Sequence, residues 1–209
     1  MDVAQLKDII ARKWPQTVSG FSGRQGAVYV TGIPQIDTLF ADGGIPRGQL
    51  IEITGGESSG KTSFLYKLLA AITGRGRVAY VDLHNSFFPA AAAYYGVDIE
   101  RVVVVKPESG VAAVRTTELL LQNHLADCVA LDLVGERRAL PATLLHRLRM
   151  ETVRSRALVV FLTDTDAQLF PSSTVSLRLK VSRREASRVE VAVIKSRISR
   201  EGAKTELSL

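Results

Sequence analysis

Cysteine, tryptophan and clustered histidine are scarce in this chain of 209 residues. The single cysteine, Cys128, excludes a disulfide framework, and its place in an apolar run marks it as a reduced core residue. His84, His124 and His146 lie far apart in sequence, so no Cys/His metal site is written into the chain. Aromatic residues make up only 6%, and after residue 133 only Phe161 and Phe170 occur, which argues against a base-stacking surface in that part. No run of eighteen apolar residues exists, so no membrane-spanning helix is expected. Residues 1–5 carry neither a basic region nor an apolar stretch of the kind that opens a signal peptide, and the expected setting is cytoplasmic.

What is present suffices for one large α/β domain, with 46% hydrophobic and 23% charged residues. The net charge of +6 is unevenly placed. Residues 1–133 hold 12 Lys/Arg against 13 Asp/Glu, whereas residues 134–209 hold 15 against 8. A basic C-terminal third suits a polyanionic partner.

The most specific feature is Gly55-Gly56-Glu57-Ser58-Ser59-Gly60-Lys61-Thr62, which reads G-x-x-x-x-G-K-T. It follows an alternating, β-branched run (residues 49–54) and precedes apolar residues at helical spacing, Phe64, Leu65, Leu68, Leu69 and Ile72. Strand, glycine loop and helix together specify a nucleotide-phosphate site. Glycines let successive N–H groups turn inward around phosphate, and the helix N-terminus adds positive dipole. In that arrangement Gly55 to Ser63 form the cradle, Lys61 neutralises phosphate oxygens, and Thr62 ligates Mg²⁺. The cofactors expected are ATP and Mg²⁺. Asp132, ending the apolar strand 127–132, is the candidate metal-side carboxylate, with Asp82 at the end of strand 77–82 as its competitor or as a water orienter.

The rest of the chain alternates short apolar strands with helical segments. Strands are expected near 102–106 and 158–163, helices near 90–95, 111–125 and 141–156. Two late strands, 175–181 and 189–195, flank a charged turn over 182–188, and 205–209 closes the sheet. This pattern predicts a mostly parallel sheet with helices on both faces and a late antiparallel hairpin. Two units are expected: an N-terminal amphipathic helix and linker (1–26, with Val3, Leu6, Ile9 and Ile10 as the apolar stripe) and an ATP-binding core (27–209). The helix either caps the chain's own core or docks on a neighbour.

The stretch Ile51-Glu52-Ile53-Thr54 with the loop that follows closely resembles the phosphate loop of RecA recombinases, including the Glu-Ser-Ser-Gly-Lys-Thr core. The lead-in Thr31-Gly32-Ile33-Pro34-Gln35-Ile36-Asp37 and the segment Gly43-Gly44-Ile45-Pro46-Arg47-Gly48 are similar to what precedes that loop in the family. The same holds for Gly96-Val97-Asp98-Ile99-Glu100-Arg101, a helix-to-strand turn. Val193-Ile194-Lys195-Ser196-Arg197-Ile198 resembles the late strand whose Lys-x-Lys reaches the ATP of the neighbouring subunit, which implies trans-acting roles for Lys195 and Arg197 on one strand face. Within the superfamily, Leu131-Asp132-Leu133-Val134-Gly135, Leu145-His146-Arg147-Leu148-Arg149 and the strand 158–164 are most similar to ImuA-like proteins of mutagenic translesion cassettes.

The resemblance implies a RecA-like fold, a role in the DNA damage (SOS) response and translesion synthesis, and several partners. These are single-stranded DNA bound weakly and without sequence preference, a Y-family polymerase homologue or other translesion polymerase components, RecA itself, and further copies of the chain. Departures temper the activity it implies. The recombinase's catalytic glutamate aligns with His84, a poor substitute for a carboxylate, and the γ-phosphate-sensing glutamine aligns with Asp164. The adenine-stacking tyrosine aligns with Ala91, and the adenine-contacting aspartate with Phe88. Both DNA loops shrink, to 135–140 and 165–174. Slow or absent hydrolysis is therefore expected, and Arg183, Arg184 and Arg188 on the charged turn are the candidate DNA contacts. The alternatives are an active DNA-dependent ATPase that forms filaments and a nucleotide switch or kinase that does not act on DNA.

Overall fold

In the computed structural model, residues 28–165 and 167–209 are described, together with Gln5, Asp8, Arg12 and Lys13. In chain order the elements are β1 (Val28–Tyr29), α1 (Pro34–Asp37), β2 (Ile45–Pro46), β3 (Leu50–Gly55), α2 (Lys61–Thr73), β4 (Val78–Asp82), α3 (Pro89–Tyr94), β5 (Val102–Val105), α4 (Gly110–Gln122), β6 (Cys128–Asp132), α5 (Ala142–Ser155), β7 (Leu158–Asp164), β8 (Leu177–Glu185), β9 (Arg188–Ser196) and β10 (Lys204–Ser208). Eight strands form one sheet in the order β10-β9-β8-β3-β7-β6-β4-β5. The six from β8 to β5 run parallel, and β9 and β10 add an antiparallel edge. β1 and β2 make a separate antiparallel pair.

Alternation along each apolar strand produces two cores, one on each face. Ile51 and Ile53 of β3, Tyr80 of β4, Cys128 and Ala130 of β6, and Val160 and Leu162 of β7 pack with Phe64, Leu65, Leu68 and Leu69 of α2. Leu50, Ala79, Val81, Val129, Leu131, Val159 and Phe161 point the other way, onto Val114 and Leu121 of α4 and Leu145 and Leu148 of α5. Both faces are covered by helices, as the sequence pattern predicts. The one charged residue inside β3, Glu52, is buried and accepts from Thr163 Oγ1 at 2.8 Å and from Arg178.

Two expectations need correction. The charged segment 182–188 is not a turn along its whole length: β8 extends to Glu185 and β9 starts at Arg188, leaving only Ala186 and Ser187 between them. Its charges hide the strand pattern because both faces of the hairpin are exposed beyond the sheet's covered part, so neither face needs apolar residues. Arg197 lies one residue beyond the end of β9, although it and Lys195 both donate to carbonyls of the segment 172–175. Of the N-terminal segment, Gln5, Asp8, Arg12 and Lys13 are helical and exposed, and Lys13 Nζ donates to the Val102 carbonyl at 2.5 Å. Val3, Leu6, Ile9, Ile10 and residues 14–27 lie outside the described residues.

Candidate functional site

Parallel strands all end on the same side of the sheet, so the loops after β3, β4, β6 and β7 meet there. β3 runs directly into the glycine loop, and α2 begins at Lys61. Gly60 precedes that helix in the left-handed region, at φ 89°. This conformation suits glycine and swings the chain from strand to helix. A Cβ on Gly55 would lie 2.6 Å from the Val181 carbonyl oxygen, so the loop's entry passes tight against β8. Gly56, Glu57 and Ser58 are exposed at the tip, whereas Ser59 and Lys61 are buried. Thr62 and Ser63 stand partly exposed in the first turn of α2. The hydroxyls of Ser59 and Thr54 are buried and make no hydrogen bond among the described residues. The orphaned Ser59 hydroxyl, inside an exposed backbone loop at a helix N-terminus, fits a phosphate group.

Lys61 is held in place. Its ammonium donates to the Gly55 carbonyl at 2.8 Å and to Asp164 Oδ1 at 2.8 Å. Asp164 is the last residue of β7 and pairs in register with Gly55. Its second oxygen accepts the Gly135 N–H at 3.0 Å, and Arg137 stands 3.5 Å away. Burial alone would push the Asp164 carboxyl upward. The Lys61 and Gly135 hydrogen bonds and the charges of Lys61 and Arg137 outweigh it and hold the carboxyl below its ordinary value. The lysine is also not the sole cation at the loop. Arg183, expected on a DNA-facing tip, donates to the Ser58 carbonyl at 2.7 Å and to Ala186 O at 2.6 Å.

Asp82 and Asp132 end neighbouring strands in register, and both are buried. Asp132 Oδ2 accepts from Tyr80 at 2.9 Å and Oδ1 from the Val134 N–H at 3.0 Å. Asp82 accepts the Ser86 and Phe87 N–H groups, at 2.9 and 3.0 Å. The Ser86 hydroxyl lies between the two carboxylates, 2.5 Å from Asp132 and 3.2 Å from Asp82. Both carboxylates thus cap the turns that follow their strands and would meet Mg²⁺ through water rather than directly, with Asp132 the candidate the sequence favours. Among the described residues no three His, Cys, Asp or Glu side chains cluster as a metal cage. Mg²⁺ would therefore rest on Thr62, on phosphate oxygens and on water held by Asp132. His84 lines a cavity of about 460 Å³ with Glu108, Ser109, Glu136 and Arg138. Its imidazole lies against Gly135, one residue from the Lys61–Asp164 pair.

The two short loops expected to touch DNA are tied to each other. The Leu140 N–H donates to the Leu169 carbonyl at 2.7 Å, both leucines are buried, and Phe170 packs on Phe161. Lys195 donates to the Ser172 and Val175 carbonyls (2.7 Å for the latter), and Arg197 to Ser173 O at 3.3 Å. Lys195 pairs with Arg178, which pairs with Glu52, so it sits three residues short of Gly55 along the sheet. With about 3.3 Å per residue along the strand and about 4.8 Å across each of two strand spacings, this is roughly 14 Å from the loop of its own chain. Burial, followed by the nearby Arg197, Arg178 and Arg149, lowers the Lys195 pKa. Arg184 pairs with Glu190 at 2.6 Å and Arg188 with Glu185 at 3.9 Å. Sequence reasoning missed the Lys61–Asp164 and Arg183–Ser58 contacts, which join residues 103 and 125 positions apart. Two signals were available: Asp164 ends a strand, and the resemblance aligns it with the γ-phosphate-sensing glutamine.

The family model of the RecA N-terminal domain matches residues 22–143, more than half of the chain. The chain belongs to the RecA family. Among curated relatives, Protein RecA of Chloroflexus aggregans is 29% identical over 81% of this chain and 60% of its own length. Protein RecA of Roseiflexus sp. is 32% identical over 65% of this chain and 44% of its own. Protein RecA of Ruminococcus albus is 38% identical over 50% of this chain and 27% of its own. This RecA-family chain thus spans between 27% and 60% of the length of these relatives, less than two thirds of each. Among the described residues no helix is long and apolar enough to cross a membrane.

Proposed function

We propose that the chain is a RecA-like, ATP-binding accessory protein of the DNA damage response, similar to ImuA and active in mutagenic translesion synthesis in the bacterial cytoplasm. The observation that carries the proposal is the combination at one strand end of an intact phosphate cradle with a lysine already engaged by Asp164. Gly55 to Ser63 hold the phosphates, Lys61 offsets their charge, and Thr62 with Asp132 holds Mg²⁺. When bound, ATP with Mg²⁺ supplies a γ-phosphate whose contacts depend on the conformation of the loop. His84 orients water without a carboxylate's basicity, which favours slow or absent turnover. Loops 135–140 and 165–174, bonded together through Leu140 and Leu169, offer little free chain to a DNA strand. This favours weak, sequence-independent DNA contact through the basic hairpin and a reliance on protein partners: a Y-family polymerase homologue, RecA, or a second copy. Lys195 and Arg197, remote from their own loop, suit a trans contact with a neighbour's nucleotide.

The test is nucleotide binding and steady-state hydrolysis with and without single-stranded DNA. Micromolar or tighter ATP binding with turnover far below about 10 s⁻¹, unchanged by DNA, is expected. DNA-stimulated turnover at ordinary enzyme rates would instead make the chain an active filament-type ATPase.

A further inference from the structure

We propose that Asp164 counts phosphates, standing where a terminal phosphate would meet Lys61 and making the site prefer a nucleoside diphosphate to a triphosphate. The inference rests on the phosphate-loop reading above. An ammonium has three donors. In Lys61 two are spent, on Gly55 O and Asp164 Oδ1. One remains for a phosphate oxygen, enough for a β-phosphate that the loop's N–H groups would surround. A γ-phosphate needs the same ammonium, in a site where Asp164 already supplies a negative charge. Lys61 then either leaves Asp164 or brings two like charges within a few ångströms, and the second is unfavourable in a partly buried site.

Asp164 does not yield easily. Its backbone is fixed beside the loop by the register of β7 with β3. Its second oxygen is held by the Gly135 N–H, and Arg137 adds a positive charge nearby. The carboxyl, kept below its ordinary value by these neighbours, is ionised at neutral pH. A lysine with a free terminal donor would welcome the third phosphate. Here the protein has supplied the anion itself.

The 209-residue chain is titrated calorimetrically with MgADP and MgATP, as the parent, Asp164→Asn and Asp164→Ala. The parent should bind ADP at least about fivefold more tightly than ATP. Asp164→Asn, which keeps the size of the side chain and an acceptor for Gly135, should tighten ATP at least about tenfold and ADP less than about threefold. Asp164→Ala should shift the ratio in the same direction, which keeps the test in hand should the Asn variant misfold. Binding of both nucleotides with a ratio unmoved by either substitution overturns phosphate counting and leaves the phosphate-loop reading standing. Failure of every folded variant to bind either nucleotide overturns that reading, and this inference with it.

Discussion

The glycine loop and the basic hairpin both place cations beside carboxylates, but they do so in opposite settings. At the loop, Lys61 and Asp164 meet with their side chains only 8% and 20% exposed, and each has further partners. Just below, Glu52 is buried with Arg178 and Thr163. On the hairpin, Arg184 meets Glu190 and Arg188 meets Glu185 with guanidinium groups more than half exposed. Water competes for the second set and hardly for the first. Buried pairs therefore fix geometry and resist loss of a partner, whereas exposed pairs exchange partners readily and remain available to a polyanion.

The largest expected effect lies inside the sheet. Glu52→Ala leaves the Arg178 guanidinium without its carboxylate and the Thr163 hydroxyl without its acceptor, and should cost about 3–5 kcal/mol of stability. Glu190→Ala on the hairpin should leave the urea midpoint close to the parent's. If the two variants unfold at the same midpoint, the contrast between the regions does not hold.

A smaller effect is expected from the hairpin on DNA. Replacing Arg183, Arg184 and Arg188 by Ala should reduce the slope of log K against log salt for single-stranded DNA by about 2–3. An unchanged slope would move the DNA contact elsewhere and assign the hairpin's charge to an acidic protein surface. Arg183 sharpens this comparison, because it also holds the Ser58 carbonyl. Its single replacement should disturb nucleotide binding, whereas changes at Arg184 or Arg188 should not.

The smallest effect is in acid. Asp164 has a native pKa below its ordinary 3.8, so its contribution to stability is fully present above that value. It is lost as the pH falls further, through the native-state pKa. The stability difference between the parent and Asp164→Asn should accordingly be larger near about pH 6 than near about pH 3. A difference that does not vary with pH would mean the pair with Lys61 does not persist in solution.

Much of this was legible in the residues. The apolar runs at 49–54, 77–82, 127–132 and 158–163 became β3, β4, β6 and β7, because alternation and length both point to buried parallel strands. The loop was legible because its chemistry is local, set by glycines and a lysine within nine positions. The hairpin's length was not, because a strand exposed on both faces carries no apolar alternation. Nor were the Lys61–Asp164 and Arg183–Ser58 contacts, which depend on strand order: only when β7 and β8 flank β3 do residues so distant in sequence reach the loop. The tie between Leu140 and Leu169 was hidden for the same reason, since each leucine reads by itself as part of an independent loop.

The central claim is that the loop after β3 binds nucleotide phosphates through Lys61. Calorimetric titration of ATP with Mg²⁺ into the parent and into Lys61→Ala tests it most directly. Loss of at least about tenfold in affinity, or about 1.4 kcal/mol, with thermal unfolding still cooperative, is the result expected. Equal affinities for the two chains would contradict the claim.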